Sequence, residues 1–174
     1  FDGSRVLMFG GRDSASEGKS DLWAWDGSTW TRLAANGPPA RTGHGMAYDP
    51  DRDRLVLFGG QALDFAPFAD TWEFDGNAWI QRATGGAAAP SARSGPAMVH
   101  HSGRNRTLVI GGSSRTGTEA DVWEWDGTAW TEVTPEVGPS VARLGAAAAY
   151  DPDRDRVVLF GGQFNRLFSD TYEL

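Results

Sequence analysis

Four sets of residues in this chain have the types and spacing to do chemistry. Asp49-x-Asp51-x-Asp53 and Asp151-x-Asp153-x-Asp155 carry the one-three-five carboxylate spacing that opens a calcium loop. An aspartate stands two residues before an aromatic at Asp21, Asp70, Asp121 and Asp170, as a ring of acids would. The eight tryptophans offer flat rings that could stack on sugars. The three histidines, His44, His100 and His101, are side chains that titrate near neutrality.

Position in the chain argues against most of this chemistry. A helix-loop-helix calcium site needs Gly at the sixth loop position and Glu at the twelfth. Those positions hold Arg54 and Gly60, then Arg156 and Gly162. The expectation is a solvated turn in which Asp pairs with Arg. Two histidines are adjacent, so a His triad around a metal is not expected. No Ser-His-Asp order stands out, and with no cysteine there is neither a disulfide nor thiol chemistry. The sequence therefore assigns no catalytic residue, no cofactor and no metal ligand.

The elements that hold these residues recur. An apolar run ends in Gly-Gly at Gly10-Gly11, Gly59-Gly60, Gly111-Gly112 and Gly161-Gly162, a step of about 50 residues. After each come Asp21-Leu22-Trp23, Asp70-Thr71-Trp72, Asp121-Val122-Trp123 and Asp170-Thr171-Tyr172. Asp-Gly-x-x-Trp follows at Asp26, Asp75 and Asp126, and Arg-x-Gly opens the next unit at Arg41, Arg93 and Arg143. Residues present in every unit build the unit. Trp23, Trp72 and Trp123 hold one repeat position, Trp30, Trp79 and Trp130 another, and Trp25 and Trp125 share a third with Phe74. All are assigned to packing, and the repeated aspartates to capping the turn after Gly-Gly.

Each unit predicts four strands. The first follows Arg-x-Gly. The second is the apolar run, which has no polar face and suits a strand covered on both sides. The third alternates, as in Trp123-Glu124-Trp125. The fourth begins at the Trp of Asp-Gly-x-x-Trp, a hairpin signal because Gly accepts a positive φ. No stretch has a helical period.

Arg41-Thr42-Gly43-His44, Leu55-Val56-Leu57-Phe58-Gly59-Gly60, Asp70-Thr71-Trp72 and Trp79 resemble a bacterial kelch repeat. The resemblance spans essentially the whole chain and implies an all-β kelch β-propeller of four-stranded antiparallel blades. His44 gives way to Pro96 and Ala146 in later units, and Tyr172 replaces Trp in the last. One domain over residues 1–174 is expected, with units near 1–40, 41–92, 93–142 and 143–174. Phe1-Asp2 aligns with the end of a first strand and Leu174 with the end of a third. The expectation is a propeller incomplete at both ends, a fragment of a larger one, with self-association through open blade edges. A self-contained four-bladed ring is the alternative.

A net charge of −7 argues against nucleic acid as a partner. The sequence shows no leader-like or membrane-spanning run, which carries no weight where a fragment is expected. The compartment stays open, with an extracytoplasmic place, periplasmic or secreted, favoured over the others.

Function is expected where the repeat breaks. The connections between second and third strands vary: Arg12 to Ser20, Gln61 to Ala69, Ser113 to Ala120 and Gln163 to Ser169. Variable loops on a rigid scaffold are where recognition is placed. Phe65, Phe68, Phe164 and Phe168 lie there with Arg12, Arg115 and Arg166, an aromatic-plus-Arg set of the hot-spot type. By resemblance to kelch proteins that bind acidic peptides, Arg41, Arg93 and Arg143 would add a basic ring at the channel mouth. The preferred reading of these three is structural, an ion pair to Glu73, Glu124 or Glu173 of a neighbouring blade. The expected function is a non-catalytic scaffold for a protein, peptide or glycan. Kelch-like enzymes supply the alternative, a carbohydrate-active enzyme of the mutarotase kind acting at the channel mouth, and a purely architectural domain of an exported protein is the third.

Overall fold

The computed structural model describes residues 2–34, 36–133 and 142–174. Every regular element among them is a β-strand. The first sheet holds β1 (Val6–Phe9), β2 (Leu22–Trp25) and β3 (Trp30–Ala34). The second holds β4 (Gly45–Asp49), β5 (Arg54–Phe58), β6 (Thr71–Phe74) and β7 (Trp79–Ala83). The third adds the short β8 (Arg93–Ser94) to β9 (Ala97–His101), β10 (Arg106–Ser114), β11 (Thr118–Trp125) and β12 (Trp130–Val133). The fourth holds β13 (Ala147–Asp151), β14 (Arg156–Phe160) and β17 (Thr171–Glu173), with β15 (Gln163–Phe164) and β16 (Arg166–Leu167) making a separate ribbon. All pairings are antiparallel, so each sheet is a blade of the expected up-and-down kind. Phe1, read above as the end of a first strand, lies outside the described residues.

The hairpins form where the sequence places them. In the first, Asp26 Oδ1 accepts the backbone N–H groups of Ser28 and Thr29, both at 2.8 Å, and Gly27 sits at φ +101°. The turn leaves Trp25 opposite Trp30. Asp75 and Asp126 repeat the arrangement. Accepting those N–H bonds favours the charged form, so all three carboxyls lie below the usual range.

The apolar second strands are covered on both faces by neighbouring blades. Leu55 and Leu57 pack with Phe9 and Leu22 of the first blade, while Val56 and Phe58 pack with Val109, Trp125 and Trp130 of the third. Leu108 and Ile110 continue the pattern onto Val157 and Leu159 of the fourth. Three apolar cores thus join successive blades, and none among the described residues joins the fourth to the first. The outer faces stay open: Val6 and Met8 are about half exposed at one end and Phe160 is 53% exposed at the other.

The repeated polar residues lock each blade from inside. Arg41 is fully buried and grips Asp70 with both terminal nitrogens, at 2.7 and 2.8 Å. The same guanidinium donates to Gly59 O at 2.8 Å. Arg93 holds Asp121 and Gly111 O, and Arg143 holds Asp170 and Gly161 O, in the same way. Asp70 and Asp121 also accept an indole N–H, from Trp72 at 2.7 Å and Trp123 at 2.8 Å, whereas Tyr172 stands at that place beside Asp170. The partners are therefore the blade's own aspartates, not the glutamates of neighbouring blades. The reason is geometric: the first strand of a blade starts beside the point where its third begins. Burial works to raise the Asp121 carboxyl, but the hydrogen bonds from Arg93 and Trp123 outweigh it and hold it low. Asp21 of the first blade has no such arginine and lies 3.7 Å from Arg32.

Gly-Gly completes the lock. Gly59 N donates to Asp70 O in its own blade, and Gly60 N donates to Arg93 O at the start of the next. Gly59 has φ +66°, and a Cβ there would lie 2.7 Å from Arg93 O, so no side chain fits. Gly11 and Gly112 donate in the same way to Arg41 O and Arg143 O.

Replacing Arg41 by Ala leaves the Asp70 carboxylate buried and unpaired. The expected cost is about 3–5 kcal/mol, read from the urea midpoint. Arg154→Ala is the control. Its pairs with Asp151 and Glu173 face solvent, and the urea midpoint is expected to stay unchanged.

Candidate functional site

The Gly-Gly lock sets where the variable loops stand. Because the second glycine of each of the first three blades bonds the segment that enters the next blade, the loop between second and third strands there lies beside the start of the next inner strand. Each loop also lies beside the start of its own blade's inner strand, where Thr42 pairs with Gln61 in the second blade and Leu144 with Gln163 in the fourth. Gly43, Gly95 and Gly145 form a hydrogen-bonded rung along the inner strands, Gly95 N to Gly43 O at 2.6 Å and Gly145 N to Gly95 O at 2.8 Å. The loops and this glycine rung share one face.

The loops are short ribbons rather than open coils. Arg12 pairs with Gly18, and Gln61 with Pro67. In the third blade β10 and β11 extend into the ribbon, with Arg115 at its tip, and in the fourth β15 and β16 are the ribbon. Ser16, Phe65 and Asn165 occupy the tips with φ of +64°, +65° and +57°. Asn accepts that conformation readily, whereas a bulky aromatic is an outlier there.

The sequence-derived site residues divide by exposure. Phe65 is 68% exposed and Phe164 is 38% exposed, and Arg12, Arg115 and Arg166 also face solvent. The Arg12 guanidinium lies 5.9 Å from the Phe65 ring, and its Nη2 donates to Leu63 O at 3.4 Å, tying the first ribbon to the second. Phe68 and Phe168 are half-buried instead. Their rings cover the locking arginines, Phe68 at 4.1 Å from Arg41 and Phe168 at 4.7 Å from Arg143. Arg41, Arg93 and Arg143 are at most 1% exposed, so they form no basic ring at the channel mouth. Their charge is neutralised by Asp70, Asp121 and Asp170, which is why an Arg-x-Gly motif here faces inward.

Two exposed aliphatic residues were missed by an aromatic-plus-Arg search. Leu63 is 41% exposed on the second ribbon and Leu167 is 81% exposed on the fourth. The signal was available, since both sit in the unrepeated segments. The apolar groove of about 450 Å³ at the fourth blade is lined by Leu144, Ala147, Phe160, Leu167 and Phe168 with backbone glycine, and by no ionisable side chain.

The aspartate turns form the Asp–Arg pairs expected of their spacing, but Asp49 is buried rather than solvated. Asp49 accepts Arg52 Nε at 2.7 Å and Asp151 accepts Arg154 Nε at 2.8 Å. Asp53 and Asp155 do not converge with them on one point. They accept the hydroxyls of Tyr48 and Tyr150, at 2.6 and 2.8 Å.

A family model described as the KLHDC2/KLHL20/DRC7 Kelch-repeats domain matches residues 1–174. No curated protein is found to match the chain. Among solved structures, one titled "Structure of YjhT" is similar at 16% identity with a TM-score of 0.72. That likeness covers 95% of this chain and 52% of the other, so the chain spans about half the length of the structure it matches.

One titratable group lies close to this face. His44 stands just past the Arg41 turn with its ring edge-on to Phe9 at 5.5 Å, and its buried Nδ1 has no partner. Burial, and then the charge of Arg41, push the ring down from 6.5 to about 4. The unfolded chain takes up this proton near pH 6.5 and the folded chain only near pH 4. Stability from the neutral ring is therefore complete above pH 6.5 and is lost as pH falls through that window. The expected loss between pH 7 and pH 4.5 is on the order of 2 kcal/mol greater for the native chain than for His44→Phe. Denaturant midpoints at the two pH values check it, and equal losses in both proteins would refute the assignment.

Proposed function

The chain belongs to the kelch-repeat family, and on that footing we propose that it is a non-catalytic scaffold that recognises a protein or peptide through its ribbon face. The observation that carries this reading is the exposed apolar set on that face: Leu63, Phe65, Phe164 and Leu167, with Arg12, Arg115 and Arg166 among them. Large apolar side chains clustered in solvent mark interaction sites, and aromatic and Arg side chains supply most hot spots.

Phe65 adds a second reason. Its left-handed backbone costs on the order of 1 kcal/mol, and its ring gains little burial in return. Neither local conformation nor packing accounts for an aromatic residue at that tip, whereas contact with a partner does. The glycine rung and the uncharged groove beside it offer no acid–base pair, which disfavours a carbohydrate-active enzyme. The net charge of −7 suits a partner that is not a nucleic acid.

Peptides selected on the chain from a random library provide the test. Phe65→Gly relieves the strained backbone, so the variant is expected to fold with undiminished thermal stability while losing at least about tenfold in affinity, as a hot-spot truncation does. Ile80→Ala, on the outer strand β7, is expected to bind as before. Unchanged affinity in Phe65→Gly, or its unfolding, would remove the ribbon tip from the binding site.

A further inference from the structure

The third blade departs from the repeat where its inner strand ends. In the second and fourth blades that strand ends in Tyr-Asp, and Tyr48 and Tyr150 bond the Asp of their own turn. In the third blade His100 takes the Tyr position and Asn105 takes that of Asp53 and Asp155. The turn keeps its shape, since Asn105 has φ +50° beside +53° and +52° for the two aspartates. What changes is the chemistry, and His100 meets the turn of the preceding blade instead.

We propose that His100, Asp49 and Asp51 form a binding site for a divalent transition-metal ion of the zinc class, bridging the second and third blades. One nitrogen from His100 and one oxygen from each aspartate lie within 4.8 Å of one another. His100 Nε2 is 3.7 Å from Asp49 Oδ1 and 3.6 Å from Asp51 Oδ2. These spans are too long for hydrogen bonds. They are close to the ligand spacing of a tetrahedral site, about 3.4 Å for bonds of about 2.1 Å.

The histidine supplies an observation independent of the acids. Its side chain is 4% exposed, and Nε2 is buried with no hydrogen-bond partner. The other ring nitrogen is 3.1 Å from Thr107 Oγ1. When Nδ1–H donates to that hydroxyl, Nε2 presents a bare lone pair to two carboxylates. A cation converts that arrangement from repulsive to attractive. The hydroxyl then acts as the outer partner that fixes the tautomer of a ligating imidazole.

The surrounding charges leave room for a cation. Asp49 is held by Arg52 through Oδ2 and by the backbone N–H groups of Asp51 and Arg52 through Oδ1, both at 3.1 Å, so its carboxylate is oriented. Arg52 continues to Glu73, which also takes Arg82. Three carboxylates against two guanidiniums leave one negative charge over. Asp51 is 46% exposed, which gives an entry path and a side open to water. One imidazole and two carboxylates suit zinc, whereas calcium wants six to eight oxygens.

The test uses the untagged, chelator-stripped chain, titrated with zinc in a calorimeter and with cobalt by visible absorption. One equivalent of zinc is expected, with the cobalt spectrum of a four-coordinate site. Asp51→Asn at the half-exposed ligand is expected to keep the fold and weaken zinc binding by at least about tenfold, the loss that even an outer partner brings. Thr107→Val should weaken it too, with Thr107→Ser restoring it. Asp153→Asn changes the matching residue of the fourth blade, which faces no such histidine, and should bind zinc as the native chain does. The proposal fails if the native chain takes up no zinc at submillimolar concentration. It also fails if Asp153→Asn loses as much affinity as Asp51→Asn.

Discussion

Each of the second, third and fourth blades is organised around one buried guanidinium. Arg41, Arg93 and Arg143 each bond a carboxylate and a glycine carbonyl of their own blade, while their backbone carbonyls take a glycine N–H from the blade before. A buried charge is tolerable only when paired and hydrogen-bonded, and Arg has the planar fork to meet two acceptors at once. The same residue thus closes its blade and docks it to its neighbour. The glycines must be glycines because two backbones cross where a Cβ would sit.

Around that polar lock the apolar residues need only alternate. A strand with side chains on both faces can feed two cores, and Leu55 to Phe58 does so. Tryptophans at the start of the fourth strands reach across to the preceding blade. Trp79 lies edge-on to Phe9 and Trp130 to Phe58, each at 5.3 Å. The matching Trp30 and Phe160, at the two ends of the array, have no such mate and are 43% and 53% exposed. Rings that resemble a sugar-binding platform in the sequence are the mortar between blades.

Removing the lock and the mortar from consideration leaves the residues free for function. They are the ribbon tips on one face and the His100 departure on the other side of the inner strands. Both are places where the repeat is broken, and both lie on a scaffold rigid enough to hold a side chain in place.

The fold was legible in the sequence because its signals are local and periodic. Gly-Gly, Asp-Gly-x-x-Trp and the apolar run each specify a turn or strand within a few residues, and repetition confirms the phase. The ribbon site was half legible. Unrepeated loops were found by subtraction, but Phe65 could not be told from Phe68, because exposure depends on whether an arginine lies beneath the ring. The structural role of the arginines was legible but their partners were not, since the aspartates they hold stand 27 to 29 residues away. The convergence of His100 with Asp49 and Asp51 was invisible for the same reason. A repeat fixes what each residue does within its own blade. Only the packing of one blade on the next fixes which residues of different blades meet.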